Sequence, residues 1–304
     1  MLTVRRDFVN RTSEIQKLQS ILIAEGIDKD SFILLHGRQG LGKTQLLARY
    51  LRLCNSDNIC IAYVDLPNKD YLGLIDEIEE GLGKKGFEPL DIVYDDILSQ
   101  FQIEDRPVDA KGIQAQMQPA PSGEASGQAP GIVFNQPVSG ENQFFVSGNL
   151  VFNNPKITQI FNLQLNESEW VQGFNQKKIT NAFHDCLHGI AQERPYVILL
   201  DHWEGATDPL KNWLKAHLFE WAAELYLRKA LVVLAREDMP EEYKNQMGIL
   251  ELAVQPFDRQ AALEFWLKNG LKVEIFNTLG IDIYSIPGIL AIEIDKQHLI
   301  QANK

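Results

Sequence analysis

The chain has 304 residues, enough for one large domain or two of ordinary size, and 29 Lys and Arg against 41 Asp and Glu give a formal net charge of −12. A hydrophobic fraction of 45% excludes a wholly disordered chain, and the negative charge argues against general coating of nucleic acid while leaving a local basic patch open. No apolar run reaches the ~18–20 residues that span a bilayer, and the first residues do not have the pattern of a signal peptide, so we expect no membrane partner. Three cysteines make no disulfide framework, so we expect a location in the reducing cytoplasm.

The first hundred residues alternate between helical and strand patterns. A capping box that begins at Ser13 opens an amphipathic helix, and the continuous apolar run 32–35 is typical of a strand buried on both faces. A second helix follows from Lys43, the run 60–64 predicts another strand, and helical spacing resumes from Tyr71. Strands that alternate with helices predict a parallel sheet covered on both faces.

Residues 37–44 read GRQGLGKT and lie between the first strand and the second helix. They match G-x-x-x-x-G-K-[ST], the phosphate-binding Walker A loop, whereas their glycine order does not fit the dinucleotide fingerprint G-x-G-x-x-G. The glycines let backbone N–H groups turn towards phosphate, Lys43 would pair with the β- and γ-phosphates, and Thr44 would ligate Mg²⁺. The predicted nucleotide contacts are Gly37, Arg38, Gln39, Gly40, Leu41, Gly42, Lys43, Thr44 and Gln45.

The middle of the chain has a different composition. Residues 112–131 are rich in Gln, Ala, Pro, Gly and Ser, so they bury little apolar surface and we predict a flexible linker. The stretches 132–137 and 150–155 echo each other, IVFNQP and LVFNNP, which predicts a small β-hairpin or meander. The alternative interpretation of these stretches is a surface that binds a partner.

The second half resumes the alternation of helices and strands. A helix from Trp170 leads into the apolar strand 196–200, and the strands 230–235 and 252–254 follow. From Asp258 onwards the spacing is helical only, which predicts a small helical lid.

Carboxylates follow the strand 196–200, as they do in a Walker B motif. Asp201 ends this strand, and at the C-terminal edge of a parallel sheet it would lie beside the loop and hold Mg²⁺ together with Thr44. Glu204 is the predicted catalytic base or water-positioning group. The alternatives are an ordinary turn residue for Asp201 and a solvated carboxylate for Glu204. The strand 60–64, which lies in sequence between the two motifs, favours the P-loop branch with an additional strand between them.

Arg236 ends the strand 230–235 and is the predicted sensor of the γ-phosphate. Its guanidinium offers a fixed fork of donors that suits a phosphate group. The predicted catalytic residues are therefore Glu204, Arg236 and Lys43, with a surface arginine at the end of a strand as the alternative for Arg236.

In this order the motifs resemble those of the STAND NTPases, signal-transducing ATPases with numerous domains that are relatives of AAA+ proteins. The segment FVNR, which ends at Arg11, resembles the family's hydrophobic-hydrophobic-Gly-Arg-Glu motif, and AVQPFDRQAALEFW resembles its link into the helical lid. The resemblance covers about 1–100 and 170–300 and leaves the insert unexplained.

The resemblance implies ATP or ADP with Mg²⁺ as cofactors. It also implies that Phe8, Val9 and Arg11 border the adenine. The family's Gly-x-Pro lid motif would fall at Gly288, where Pro287 precedes the glycine instead of following it.

The predicted fold is α/β: a three-layer parallel sheet of the P-loop NTPase class, in its ASCE or AAA+-like branch, with a C-terminal helical lid and a β-rich, flexible insert. The predicted division is 1–103 for the first part of the core, 104–169 for the insert, 170–256 for the second part of the core and 257–304 for the lid.

The resemblance favours a slowly hydrolysing ATPase that acts as a molecular switch. In this hypothesis the nucleotide state controls assembly with further copies or with a partner protein, and the family implies signalling, often in microbial defence. Alternatives are an AAA+-type loader or remodelling ATPase, a P-loop phosphotransferase and a scaffold without catalysis; nucleic acid is neither indicated nor excluded as a partner.

Overall fold

The computed structural model of the chain describes residues 11–23, 32–57, 59–100, 152–164, 168–223, 230–240 and 249–302. Its centre is a five-stranded sheet in the order β2-β3-β4-β1-β5, and every strand pair is parallel. The strands are β1 (Phe32–His36), β2 (Cys60–Asp65), β3 (Tyr196–Asp201), β4 (Ala230–Arg236) and β5 (Ile249–Ala253).

The central strands are buried because helices cover both faces of the sheet. β1, β3 and β4 consist almost entirely of buried residues, as continuous apolar runs require in a parallel sheet. The helices before the lid are α1 (Thr12–Ile23), α2 (Lys43–Ser56), α3 (Tyr71–Leu82), α4 (Glu88–Gln100), α5 (Pro155–Gln164), α6 (Glu169–Glu193), α7 (Asp208–Trp213), which continues through a π-helical turn (Leu214–Phe219), and α8 (Glu220–Ala223). None of the helices in the described ranges is long and apolar enough to cross a membrane.

Two apolar clusters lie on opposite faces of the sheet. Residues of α2, among them Leu46 and Leu47, pack with Ile33 and Leu35 of β1 on one face. Residues of α3, α4, α5, α6 and α7 pack on the other face, where Phe32 contributes from β1. Successive side chains of a strand, such as Phe32 and Ile33 in β1, therefore pack on opposite faces of the sheet. The chain has the P-loop α/β fold that the alternating pattern and the loop predicted.

The sheet has an additional strand between the two strands that carry the motifs, as the predicted P-loop branch requires. Between β1, which leads into the loop, and β3, which ends in Asp201, lies β4, whereas β2 lies at the edge beyond β3. The additional strand in the sheet is thus β4, whereas the strand 60–64 lies between the two motifs in sequence. As a consequence, Arg236 at the end of β4 lies between the loop and Asp201 along the sheet edge.

Residues 152–155 differ from the sequence prediction, which assigned 150–155 to a strand. The structure has α5 here, and its Ile157 and Ile160 are fully buried against the core. Asp76 of α3 accepts the backbone N–H groups of Asn153 (2.6 Å) and Asn154 (3.1 Å) just before α5. These contacts and a proline at the first helical position make the Asn-Asn-Pro segment a helix start. The predicted linker 112–131 and the first predicted strand lie outside the described residues, and the domain division stays a prediction.

The C-terminal segment is helical, as the spacing from Asp258 predicted. It contains α9 (Arg259–Lys268), α10 (Val273–Phe276), α11 (Ile281–Tyr284) and α12 (Pro287–Ala302). The Asp258 side chain caps α9 by accepting the N–H of Ala261 at 2.7 Å. The segment has its own apolar cluster, in which Trp266, Phe276 and Leu290 are almost completely buried. We refer to residues 257–302 as the lid.

Gly81 of α3 allows a close approach between helix and sheet. A Cβ atom at this position would lie 2.6 Å from Cα and 2.7 Å from Cβ of Ala62 in β2. We expect Gly81→Ala to lower the free energy of unfolding by about 2 kcal/mol, because a buried strand cannot yield without disturbing the sheet. Urea unfolding measures this change. The matched control is Gly189→Ala in α6, where an added Cβ atom would meet nothing within 4 Å beyond its own helix backbone, and it should instead raise stability by about 0.5–1 kcal/mol. Equal effects of the two variants would contradict the prediction.

Candidate nucleotide site

The loop at 37–42 connects β1 to α2 at the C-terminal edge of the sheet. Gly37 lies so close to Val254 that a Cβ atom would come within 2.8 Å of the Val254 carbonyl oxygen. Gly42, which precedes the first residue of α2, has a φ of +93°, a left-handed conformation that favours glycine. The Gly37 N–H donates to the carbonyl oxygens of Arg236 and Glu237 at 3.2 and 3.1 Å, so the end of β4 holds the start of the loop.

The side chain of Lys43, the first residue of α2, reaches back into this loop. Its ammonium group donates to the carbonyl oxygens of Gly37 and Arg38. Burial lowers the pKa of Lys43, and nearby carboxylates act in the opposite direction: those of Glu204, Glu237, Asp201 and Asp238. The Lys43 ammonium group therefore lies within the loop opposite several acidic side chains, where it could pair with a bound anion.

The other predicted residues of the loop divide into exposed and packed groups. Arg38, Gln39 and Gly40 are exposed, whereas Leu41 is only 4% exposed and packs in the apolar cluster beside α2. Thr44 and Gln45 lie half-buried in the first turn of α2.

Asp201 is 1% exposed, and both oxygens of its carboxylate accept hydrogen bonds. Oδ1 accepts the N–H of His202 at 2.9 Å, and Oδ2 accepts the hydroxyl of Tyr63 at 3.1 Å. Burial and the neighbouring Asp201 raise the pKa of Tyr63, so its phenol keeps the proton that it donates. Each carboxylate oxygen has a further lone pair, which leaves Asp201 able to meet Mg²⁺ directly or through water.

Within the described ranges, no group of three or more His, Cys, Asp or Glu side chains is arranged to hold a metal ion. Magnesium sites in nucleotide-binding proteins use one or two protein ligands plus phosphate oxygens. Thr44 and Asp201 would supply two such ligands, a hydroxyl and a carboxylate oxygen, which suits a magnesium ion that also binds phosphate.

Glu204 reaches across to the end of the neighbouring strand. It lies in a single 3₁₀ turn (Trp203–Gly205), and its Oε1 accepts the backbone N–H of Glu237, the residue after β4. Its side chain is thus positioned by a hydrogen bond at the same edge of the sheet as Lys43. Although Glu204 is exposed, its carboxylate has a hydrogen-bond partner in the protein.

Arg236 is also oriented by the aromatic residue next to Glu204. Its guanidinium carbon lies 5.6 Å from the centre of the Trp203 ring. Its Nε is buried and has no hydrogen-bond partner among the described residues. The end of β4, which holds the start of the loop, therefore carries an N–H donor of Arg236 that makes no hydrogen bond to the described residues.

Arg11 makes its contacts with the protein itself. It is 4% exposed; its guanidinium donates to Leu41 O at 2.9 Å and to Glu14 Oε1 at 3.2 Å. The same group lies 5.2 Å from the centre of the Phe257 ring of the lid. The predicted adenine neighbours Phe8 and Val9 lie outside the described residues, and the adenine contact of Arg11 stays a prediction.

The lid touches the loop through backbone atoms. The N–H of Gly288, in the first turn of α12, donates to the carbonyl oxygen of Gly40 at 2.9 Å. A Cβ atom on Gly288 would lie 3.1 Å from Cα and O of Gly40. This contact brings the start of α12 onto the exposed side of the loop.

Sequence reasoning missed Tyr63, His202 and Glu237 as neighbours of the site. Tyr63 lies inside a strand, and only the adjacency of β2 and β3 brings it to Asp201. His202 has a φ of +56°, which is uncommon for a residue with a side chain, and no local sequence signal marks it. Glu237 contributes a backbone N–H, which every residue except proline carries.

No protein-family model and no curated protein matches the chain. Among solved structures, it is similar to a STAND protein with a tetratricopeptide repeat sensor from Pyrococcus horikoshii, at 14% identity and a TM-score of 0.41 over 94% of this chain and 29% of that one. It is also similar to the ORC1 protein of Aeropyrum pernix in complex with DNA (10% identity, TM-score 0.43, 98% and 62% coverage) and to Cdc6p of Pyrobaculum aerophilum (11%, 0.38, 87% and 50%). The chain thus spans less than two thirds of each of these proteins. These likenesses are distant, and the strand order and loop geometry described above carry the fold assignment.

Proposed function

We propose that the chain binds ATP or ADP with Mg²⁺ in the loop 37–44. The observation that carries the proposal is the joint placement of a glycine-rich loop, Lys43 within it and a buried Asp201 at the end of β3, all at the C-terminal edge of one parallel sheet. Backbone N–H groups of such a loop and the N-terminus of the following helix attract phosphate. Lys43 would neutralise phosphate charge at the position it occupies.

We propose that the same site hydrolyses ATP slowly. Mg²⁺, when bound, neutralises charge on the phosphate oxygens, and Thr44 and Asp201 would hold it. Glu204 would orient the attacking water and accept its proton, since its carboxylate is positioned at the sheet edge that also carries Lys43. Arg236 would donate to the γ-phosphate from the end of β4.

We further propose that the chain is a STAND-type switch, in which the nucleotide controls the lid and, through it, assembly with further copies or with a partner protein. The ordered motifs and the contact of Gly288 with the loop support this proposal. A ligand must favour one state by about 5.5 kcal/mol to invert a 1:99 population, and a few charge-assisted hydrogen bonds reach that scale. A role in microbial defence belongs to the same proposal and follows from the resemblance alone.

Calorimetric titration with Mg-ATP and Mg-ADP tests nucleotide binding, with thermal unfolding as an independent readout. At a ligand concentration of about one hundred times Kd, we expect stabilisation by about 2.7 kcal/mol and a corresponding rise in Tm. No heat of binding and an unchanged Tm would overturn the proposal. Mass photometry with a non-hydrolysable ATP analogue tests the switch: binding of the analogue without a change in particle mass would favour the scaffold or the phosphotransferase.

A further inference from the structure

Two consecutive carbonyl groups of the loop are held from outside it. The Gly40 carbonyl accepts the N–H of Gly288 in the lid at 2.9 Å, and the Leu41 carbonyl accepts Nη2 of Arg11 at 2.9 Å. Arg11 lies immediately before α1, so the two donors come from opposite ends of the described chain.

Holding a carbonyl group fixes the N–H group of the same peptide unit. In a planar trans peptide the C=O and N–H bonds point in opposite directions. Donors outside the loop at Gly40 O and Leu41 O therefore direct the N–H groups of Leu41 and Gly42 away from those donors and towards the interior of the loop. In agreement with this direction, the N–H of Leu41 points across the loop to the Arg38 carbonyl, in a long hydrogen bond of 3.4 Å that an anion could replace.

The contact between lid and loop depends on two glycines. Gly40 has a φ of +83°, and a Cβ atom there would lie 2.9 Å from Cγ2 of Ile286. A Cβ atom on Gly288 would press on Cα and O of Gly40 at 3.1 Å. At Gly288 the neighbour is backbone, so a methyl group there would push the lid and the loop apart by a few tenths of an ångström, whereas at Gly40 it would press on the Ile286 side chain.

Further contacts tie Arg11 to the same part of the lid. Its guanidinium lies 5.2 Å from the centre of the Phe257 ring, and the N–H of Phe257 donates to Ser285 O at 2.8 Å, three residues before Gly288. The Arg11 side chain also pairs with Glu14, which keeps its charge balanced in a site where it is 4% exposed. Arg11, the loop and residues 285–288 thus form one contiguous group of contacts.

We infer that Arg11 and Gly288 are positioning residues for the phosphate loop, and that the docked lid holds the amides of Leu41 and Gly42 in the orientation that binds phosphate. The inference rests on the proposed function and adds how that site is regulated. Because coupling between two equilibria is reciprocal, phosphate in the loop must also favour the docked lid. The coupling passes through the loop backbone and requires no contact between the lid and the base of the nucleotide.

The test compares Gly288→Ala with Gly280→Ala, using calorimetry with Mg-ADP and with Mg-tripolyphosphate, a probe that has no base. Gly280 lies in the same lid, and a Cβ atom there would meet nothing within 4 Å. We expect Gly288→Ala to weaken binding of both probes about five- to fiftyfold, in the range of typical coupling between sites, and Gly280→Ala to bind like the wild-type chain. Equal affinities of the two variants, or a loss for Mg-ADP without a loss for tripolyphosphate, would overturn the inference.

If the Gly288→Ala protein does not fold, a second variant and a second readout still test the inference. Arg11→Lys keeps the charge beside Glu14 but loses the planar donor fork, and it should weaken both probes in the same direction. In the wild-type chain, Mg-tripolyphosphate should slow hydrogen exchange at the Gly288 amide at least fivefold, and unchanged exchange would overturn the inference. A wild-type chain that binds neither probe would instead overturn the proposed function itself.

Discussion

Lys43→Ala is expected to weaken the binding of Mg-ATP at least a hundredfold. In the structure the ammonium group lies within the loop, bonded to the carbonyl oxygens of Gly37 and Arg38 and facing the carboxylates of Glu204 and Asp201. Each hydrogen bond from a charged group to phosphate contributes about 1.5–3 kcal/mol, so the loss of two exceeds the ~2.7 kcal/mol that correspond to a hundredfold change. Calorimetric titration of the variant measures the loss.

The control for Lys43→Ala is Lys296→Ala, which removes the same charge from the lid. Lys296 is 65% exposed and pairs only loosely, at 3.4 Å, with Glu293. We expect this variant to bind Mg-ATP like the wild-type chain, because an exposed charge of this kind contributes little in salt. If both lysine variants lost affinity equally, the effect would come from net charge and not from the loop.

Glu204→Gln is expected to lower the rate of ATP hydrolysis at least a hundredfold and to change the affinity for Mg-ATP by no more than about threefold. A side-chain amide cannot accept the proton of the attacking water, and a positioned base contributes about 10²–10⁴ to the rate. The amide oxygen of glutamine can still accept the N–H of Glu237, so the local geometry should survive. Single-turnover hydrolysis and equilibrium binding separate the two effects.

Glu237→Gln is the matched control for Glu204→Gln. Its carboxylate also faces Lys43, so this variant removes a nearby negative charge while leaving the backbone N–H that Glu204 uses. Its hydrolysis rate should stay within a fewfold of the wild-type rate. Unchanged turnover in Glu204→Gln would mean that the measured hydrolysis does not belong to this site.

The sequence was informative where structure depends on neighbouring residues. The apolar run at 32–35 and the spacing of Lys43 from the glycines predicted a strand, a loop and a helix start, because burial and backbone conformation act locally there. The alternating pattern also predicted a parallel sheet, and the structure confirmed it.

Local sequence patterns did not predict the contacts between segments that are distant in sequence. The place of β4 between β1 and β3 depends on which strands pair, and no short segment records that choice. The same holds for α5, whose start is stabilised by Asp76 from another helix, and for the contact of Gly288 with Gly40. Arg11 matched a motif, but the structure gives it partners in the loop and in the lid.

The separate apolar cluster of the lid has a consequence for the energetics of its movement. Trp266, Phe276 and their neighbours pack among themselves, and the cluster includes no residue of the sheet. Detaching the lid would break the Gly288–Gly40 bond and the approach of Arg11 to Phe257 while leaving this cluster intact. Because this cluster stays packed in such a motion, its apolar surface is not hydrated and should add nothing to the change in heat capacity when the lid detaches.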